Sequence, residues 1–533
     1  LTGEEEIRFE KIVKQSLEPR FIDFKKKAQS ANNHSFGNAG GIALALKLFP
    51  DSPQADEAKA WLNRIWENLS EFGDWTEWNY YPYGPIFLHG LIDIAEVTGR
   101  IESDNELINA VGNRCLGFIH GGGVRGNPNC GSVVRDDLES VYKDPWNFGY
   151  YNVETSSRDG HFWYRLAKHY KDPYYLWAAE QVSLGGRPLN GKVSKEYDSA
   201  YERRFAWFIE RDIKPKIPEG GAKIGLLSSL KNKIPERLYL NRDRKAGSAF
   251  AAFFLYPEKD EHLDNVSGHL YEYSVSGSKY LHTSGKYNNV YSGKDLRGGG
   301  TGEESLDLLL VMHNRHQFPL HPDRKGDDRD FMRRGSIKHD DAFVVAENNN
   351  FGDSYGRFAF SNYYGEGSRW ERQVVLTREG FFVVLDRYKG GEVLGEEYSD
   401  GPVWHVGFDE PIKEGSQTES WFDFPHLDNA WWKKKKSRAL LIAHPHPKAK
   451  YGRVKQRNSQ DTSPNVTVYS YRPISATNDE YFLNVFIPYD LPVDTTSIVK
   501  KTKTHLDSMG RAEVALGHAD IKILIDKSWS VSR

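Results

Sequence analysis

The sequence predicts an α+β multidomain chain: an N-terminal incomplete (α/α) toroid followed by an antiparallel β-sandwich. Three observations carry this expectation. Apolar residues recur at helical spacing from the start to about residue 209. Near Ile234 the pattern turns to two-residue alternation punctuated by Gly, Pro, Asn and Asp. Beyond that point no helical stretches alternate with the strands, which argues for an antiparallel sandwich rather than a parallel α/β sheet. A chain of 533 residues also exceeds one compact core, so two or three domains are expected.

The helical half is read in order. Glu4 to Ser30 carries Ile7, Phe9, Ile12, Val13, Leu17, Phe21 and Phe24 at helical spacing. Ile42 to Phe49 ends at Pro50 and Pro53, and Gln54 to Leu69 lines up Ala58, Trp61, Leu62, Ile65 and Trp66 on one face. Ile86 to Val97 stops at Thr98-Gly99, a C-cap signature. Ser103 to Ile119 runs into Gly121-Gly122-Gly123, and residues 120–157 read as irregular and polar. Helices resume at 160–170, 173–182 and 199–209. Helix pairs joined by short turns predict a toroid or bundle built hairpin by hairpin, and about eight helices are too few to close a six-hairpin ring.

Strands are expected at Leu238–Leu240, Ala249–Leu255, His269–Val275, Ala342–Val345, Gln373–Leu376, Gly380–Leu385, Ala439–Ala443 and Tyr481–Ile487. The domain boundary falls within Lys214 to Pro235 and is set at 1–233 and 234–533.

Composition narrows the function classes. A net charge of -3 gives no reason to expect a nucleic-acid partner. No apolar run approaches 18 residues, so no membrane span is expected. Aromatic residues make up 13% of the chain, and its many Trp and Tyr suit both strand packing and stacking on sugar rings. Cys115 and Cys130 are the two cysteines, compatible with one disulfide in an exported protein or with two separate thiols. No signal peptide is visible and the chain starts at Leu1, as a processed or trimmed chain would; the expected location is secreted or periplasmic. The sequence sets no oligomeric state.

Two dense clusters stand before apolar helices. One is Asn32-Asn33-His34 through Asn38-Ala39-Gly40-Gly41, ahead of Ile42. The other is Trp75-Thr76-Glu77-Trp78-Asn79-Tyr80-Tyr81-Pro82-Tyr83-Gly84, ahead of Leu91. Amides and an imidazole suit neutralising a carboxylate, and a phenol suits proton transfer. Those are the groups that β-elimination at a uronic acid requires. The proton on C5 is weakly acidic until the neighbouring carboxylate is neutralised, and the oxygen on C4 must leave. No cofactor is needed for this scheme, and a structural metal ion has no support in the sequence.

These segments resemble the heparinase II/III-like superfamily of polysaccharide lyases. Asn32-Asn33-His34 resembles that group's Asn-Asn-(His/Trp) segment, and Tyr80 to Gly84 resembles its Tyr-x-x-Tyr-Gly helix start. Gly268 to Leu281 resembles its first sandwich strands, and Arg372 to Arg387 resembles a strand ending in V-x-D-R. The motifs fall in the family's order from about residue 30 to 390. Two departures stand out. His262-Leu263-Asp264 only loosely matches the family's His-x-Asp segment, and Leu281-His282-Thr283 lacks the aspartate of the zinc site found in some relatives.

The resemblance implies a toroid plus sandwich and a lyase of an acidic polysaccharide such as alginate, ulvan, glucuronan or a glycosaminoglycan. Asn33 and His34 are then candidates to neutralise the C5 carboxylate, and Tyr83, with Tyr80 second, to act as base or acid. Trp75, Trp78, Tyr81, His262, His405 and Arg334 are the substrate-binding candidates. Each has a plainer reading: helix cap for Asn33, structural histidine for His34, packing for Tyr81, surface for Arg334. Two alternatives are kept. One is a glycoside hydrolase using carboxylates among Asp74, Glu77 and Glu154. The other is a non-catalytic glycan-binding protein.

Overall fold

In a computed structural model, the described residues are 2–12, 15, 33–72, 83–117, 160–184, 212–226, 235–244, 248–255, 269–275, 278–282, 343–348, 352–361, 367, 369–389, 399–407, 413–414, 420–425, 437–457, 464–473, 477–526 and 531–532. Helices occupy the first part and antiparallel sheets the second. After a helical stretch at 3–12 come α1 (Asn33–Leu48), α2 (Ala55–Phe72), α3 (Tyr83–Val97), α4 (Arg100–Ser103), α5 (Asn105–Leu116), α6 (Gly160–Tyr170) and α7 (Pro173–Leu184). The helix expected at 199–209 lies outside the described residues.

The face read for α2 is the buried one: Ala58, Trp61, Leu62, Ile65 and Trp66 all enter the helical core. The indole N–H of Trp66 donates to Asp104 at 2.6 Å, so the buried ring keeps its polar atom satisfied. Gly99 ends α3 in the left-handed region at φ 72, where glycine carries no Cβ penalty. Two helix starts differ from expectation. The helix expected from Ile42 begins at Asn33, so the Asn33–Gly41 segment is its first half rather than a lead-in. Its glycines have poor helix propensity, but Gly40 lies against Gly90 of α3, and only small residues permit that approach. Likewise α3 begins at Tyr83 rather than Ile86, with Pro85 in the first turn, where a missing N–H costs little.

All eight expected strands are present. A five-stranded meander runs β1 (Gly221–Leu226), β2 (Pro235–Asn241), β3 (Phe250–Phe254), β4 (His269–Val275) and β5 (Ser278–His282). β1 pairs with β2, so the sheet begins inside the boundary segment and ahead of residue 234. An eight-stranded sheet uses β6 (Phe343–Asn348), β7 (Ser354–Ser361), β8 (Arg369–Leu376), β9 (Phe382–Lys389), β12 (Lys413–Glu414), β13 (Trp421–Pro425), β14 (Ser437–Ala443) and β17 (Glu480–Asp490) in the order β12-β13-β14-β17-β9-β8-β7-β6. A smaller sheet joins β10 (Ser399–Asp400), β11 (Val403–Gly407) and β15 (Lys450–Arg457) to β16 (Pro464–Pro473).

The chain closes with α8 (Thr495–Lys501) and a sheet of β18 (Thr502–Leu506), β19 (Ala512–Leu516), β20 (Ile521–Ile525) and β21 (Val531–Ser532). Asp494 caps α8 by accepting from the N–H groups of Thr496 and Ser497.

Three cores stack these layers. One fills the helical part. The second lies between the five- and eight-stranded sheets and includes Leu238, Leu240, Tyr273, Trp370, Val384 and Phe486. The third lies between the eight-stranded and C-terminal sheets and includes Val383, Leu385, Val485, Val514 and Ile523. β9 is therefore buried on both faces, which explains its unbroken run Phe381–Leu385. The helices meet the free face of the five-stranded sheet. Gly117 sits so close to the Tyr239 ring that a Cβ there would collide with it, and Arg244 donates to the Leu116 carbonyl at 2.5 Å.

Candidate functional site

The helices that carry the two sequence clusters are neighbours. A Cβ on Gly40 would lie 3.5 Å from the Gly90 Cα and 3.1 Å from Asp93 Oδ2, so α1 and α3 cross closely there. Further along both helices, Lys47 Nζ reaches Glu96 Oε2 at 3.2 Å. Moving forward along one helix thus moves forward along the other, and the pair runs parallel. Asn33 and Tyr83, the first residues of α1 and α3, each precede their crossing glycine by seven positions, about 10 Å of helix. Both amino-terminal ends therefore lie on the same end of the pair.

Beyond the crossing, toward the carboxyl-terminal ends of the pair, sits a network that fixes the register. Arg165 of α6 donates to Asp93 Oδ1 at 2.6 Å and to Glu96 Oε1 at 2.9 Å, and approaches Glu96 Oε2 at 2.8 Å. His169, one turn on, lies 3.4 Å from Glu96. Burial raises the Glu96 carboxyl, but the bonds and charges of Arg165 and Lys47 outweigh it and hold the group down to about 2. Burial raises Asp93 above the ordinary aspartate value, with Arg165 opposing. None of these residues was singled out from sequence. The i,i+3 spacing of Asp93 and Glu96 and the i,i+4 spacing of Arg165 and His169 were the available signals.

α1 and α3 have no acidic residue in the first turn, whereas α2 has Asp56 and Glu57 and α5 has Glu106. The positive ends of the α1 and α3 dipoles are thus not offset by acidic side chains in their own first turns.

Asn33, His34 and Tyr83 lie in described helices, but their side chains are outside the described set. His405 lies in β11 opposite Thr467, with its side chain likewise outside the set. Trp75, Trp78, Tyr80, Tyr81, His262 and Arg334 lie outside the described residues, as do Asp74, Glu77, Glu154 and Cys130. Among the described residues no group of three or more His, Cys, Asp or Glu is arranged to hold a metal ion. No helix among them is long and apolar enough to cross a membrane.

The V-x-D-R strand is built around a buried pair. Arg372 of β8 stands directly across from Asp386 of β9, and both side chains are 0% exposed. Arg372 donates from Nε at 2.6 Å and from Nη2 at 3.0 Å, and the Trp370 indole N–H adds a bond of 3.2 Å to Asp386. The guanidinium also lies over the Trp404 ring at 4.7 Å.

No family model and no curated protein matches the sequence. Solved structures do. A heparinase III gene product is similar over 94% of this chain and 67% of its own, with 13% identity and a TM-score of 0.57. Another heparinase III gives 12% identity and a TM-score of 0.55, covering 95% of this chain and 70% of its own. The heparan sulfate lyase HepC from Pedobacter heparinus gives 10% identity and a TM-score of 0.52, covering 95% and 69%. The chain spans about two thirds of the length of these proteins. By architecture, the chain shares the fold of these heparinase III and heparan sulfate lyase structures.

Proposed function

We propose that the chain is a lyase that cleaves a uronate-containing acidic polysaccharide by β-elimination at the shared end of α1 and α3. The observation that carries the reading is the parallel register of these helices, with Gly40 against Gly90 and Lys47 bonded to Glu96. On this reading Asn33 and His34 hold and neutralise the C5 carboxylate, aided by helix ends that lack acidic residues. Tyr83, with Tyr80 second, removes the C5 proton and returns a proton to O4. The C4–O4 bond breaks, a C4=C5 double bond forms, and no oxidant is consumed. A phenol does this near neutral pH only if cationic neighbours lower its pKa, a role that His34 fits. Completion of the helical part as an open toroid, layering of the sheets as a sandwich, and export from the cell belong to the same proposal. The heparinase III and heparan sulfate lyase neighbours favour a glycosaminoglycan over the other uronate polymers.

The test is a screen of heparan sulfate, other glycosaminoglycans, alginate, ulvan and glucuronan, followed by product analysis. At least one polymer should yield products with new ultraviolet absorbance from the double bond. Reducing ends without that absorbance would point to hydrolysis by carboxylates, and affinity without products would point to a binding protein.

A further inference from the structure

The side of the eight-stranded sheet that faces away from the helices carries a second charged cluster. Glu371 of β8 is 2% exposed. A single oxygen, Oε2, receives Arg357 at 2.9 Å and Arg369 at 3.0 Å, and Arg387 stands 3.9 Å from it. Arg387 also bonds Asp479 at 2.7 Å. Lys389 follows Arg387 by two residues on β9, hence on the same face, and stands directly across from Arg369. Among the described residues, four cations thus face two carboxylates. Like charges directly opposite across an antiparallel pair are destabilising unless something answers them.

The excess is accessible: Arg369 is 39% exposed and Arg387 33%. Half-buried Tyr481 stands directly across from Arg387. Burial pulls Arg357 down to about 10, and its neighbours Arg369 and Arg387 push the same way, against Glu371. The cluster lies beside the third core, whereas Trp370 and Tyr388 on the same strands turn to the second. The whole five-stranded sheet therefore separates it from the helices.

We propose that Arg369, Arg387 and Lys389 form an oxyanion site that holds a sulfate or carboxylate group of an acidic glycan, apart from the proposed cleavage site. Guanidinium geometry suits such oxygens bidentately, and an anion there would answer the Arg369–Lys389 opposition. The choice of a glycan as the source of the oxyanion rests on the polysaccharide reading above.

Titration calorimetry of the full chain tests it, with inorganic sulfate, sulfated uronate oligosaccharides and unsulfated uronate oligosaccharides as probes. The comparison is with the Arg369→Gln/Lys389→Gln double variant, whose sites are on the surface. The wild type should bind oligosaccharide at this site, and the double variant should bind roughly tenfold more weakly or worse. Its turnover of short substrates should be unchanged. Undiminished affinity in the variant, or binding of free sulfate alone, would overturn the proposal. Affinity that depends on Arg369 and Lys389 in a chain that forms no unsaturated product would keep this site and refute the lyase.

Discussion

Glu371 and Arg372 are adjacent in sequence, yet their strand turns them to opposite sides of one sheet, and the two sides treat charge differently. On the inner side one cation meets one carboxylate: Arg372 and Asp386 are both sealed from solvent and bonded twice. On the outer side Arg357, Arg369 and Arg387 crowd one oxygen of Glu371. The inner pair must balance because an uncompensated buried charge costs several kcal/mol. The outer cluster can carry excess because it reaches solvent, and excess charge in reach of solvent is what a ligand can use. The contrast separates charge that holds a fold from charge that is available for binding.

The largest break in this comparison should come from Asp386→Ala. It strands Arg372 in the second core and should cost about 3–5 kcal/mol, read from denaturant unfolding. Arg372→Met together with Asp386→Leu should recover most of that loss, since the desolvation cost of the pair goes with it. Glu371→Gln should cost less, about 1–3 kcal/mol. Added sulfate should raise the unfolding midpoint of this variant more than that of the wild type, because it replaces the lost counter-charge.

The helical network gives an intermediate case, with Arg165 and Lys47 answering Glu96. The folded-state value of Glu96 lies below its ordinary 4.5, at about 2. Its contribution is therefore full above about pH 4.5 and is lost as pH falls toward 2. Glu96→Gln should flatten the stability profile in that window, and an unchanged slope would contradict the assignment. Arg369→Gln, the smallest effect, should shift stability by about 0–1 kcal/mol.

Much of the fold was legible in the sequence because burial leaves a period. The α2 face of Trp61, Leu62 and Trp66, the Thr98-Gly99 stop and the doubly buried β9 run all announce their environment. What was missed lacks such a signal. α1 begins among glycines that propensity would leave uncoiled, and the close approach of Gly40 to Gly90 is a tertiary contact that no local pattern announces. The C-terminal sheet has alternation in β19 and β20, where Ala512, Val514, Leu516 and Ile521, Ile523, Ile525 are buried, but its segments are short and follow the last motif recognised. In the sequence, Asp386-Arg387 reads as a single motif, yet its two residues serve opposite faces, and only the strand register reveals that. Arg165 bridges residues about 70 positions earlier, a pairing that no local pattern encodes.

The central claim is that the amino-terminal ends of α1 and α3 act on one sugar. The most direct measurement is the initial rate of ultraviolet absorbance increase on the responding polymer for wild type, Asn33→Ala and Tyr83→Phe, each checked for an unchanged unfolding midpoint. The account predicts that each folded variant loses about 100-fold or more of the wild-type rate. Wild-type rates in both variants, or no absorbance from the parent chain on any uronate polymer, would contradict it.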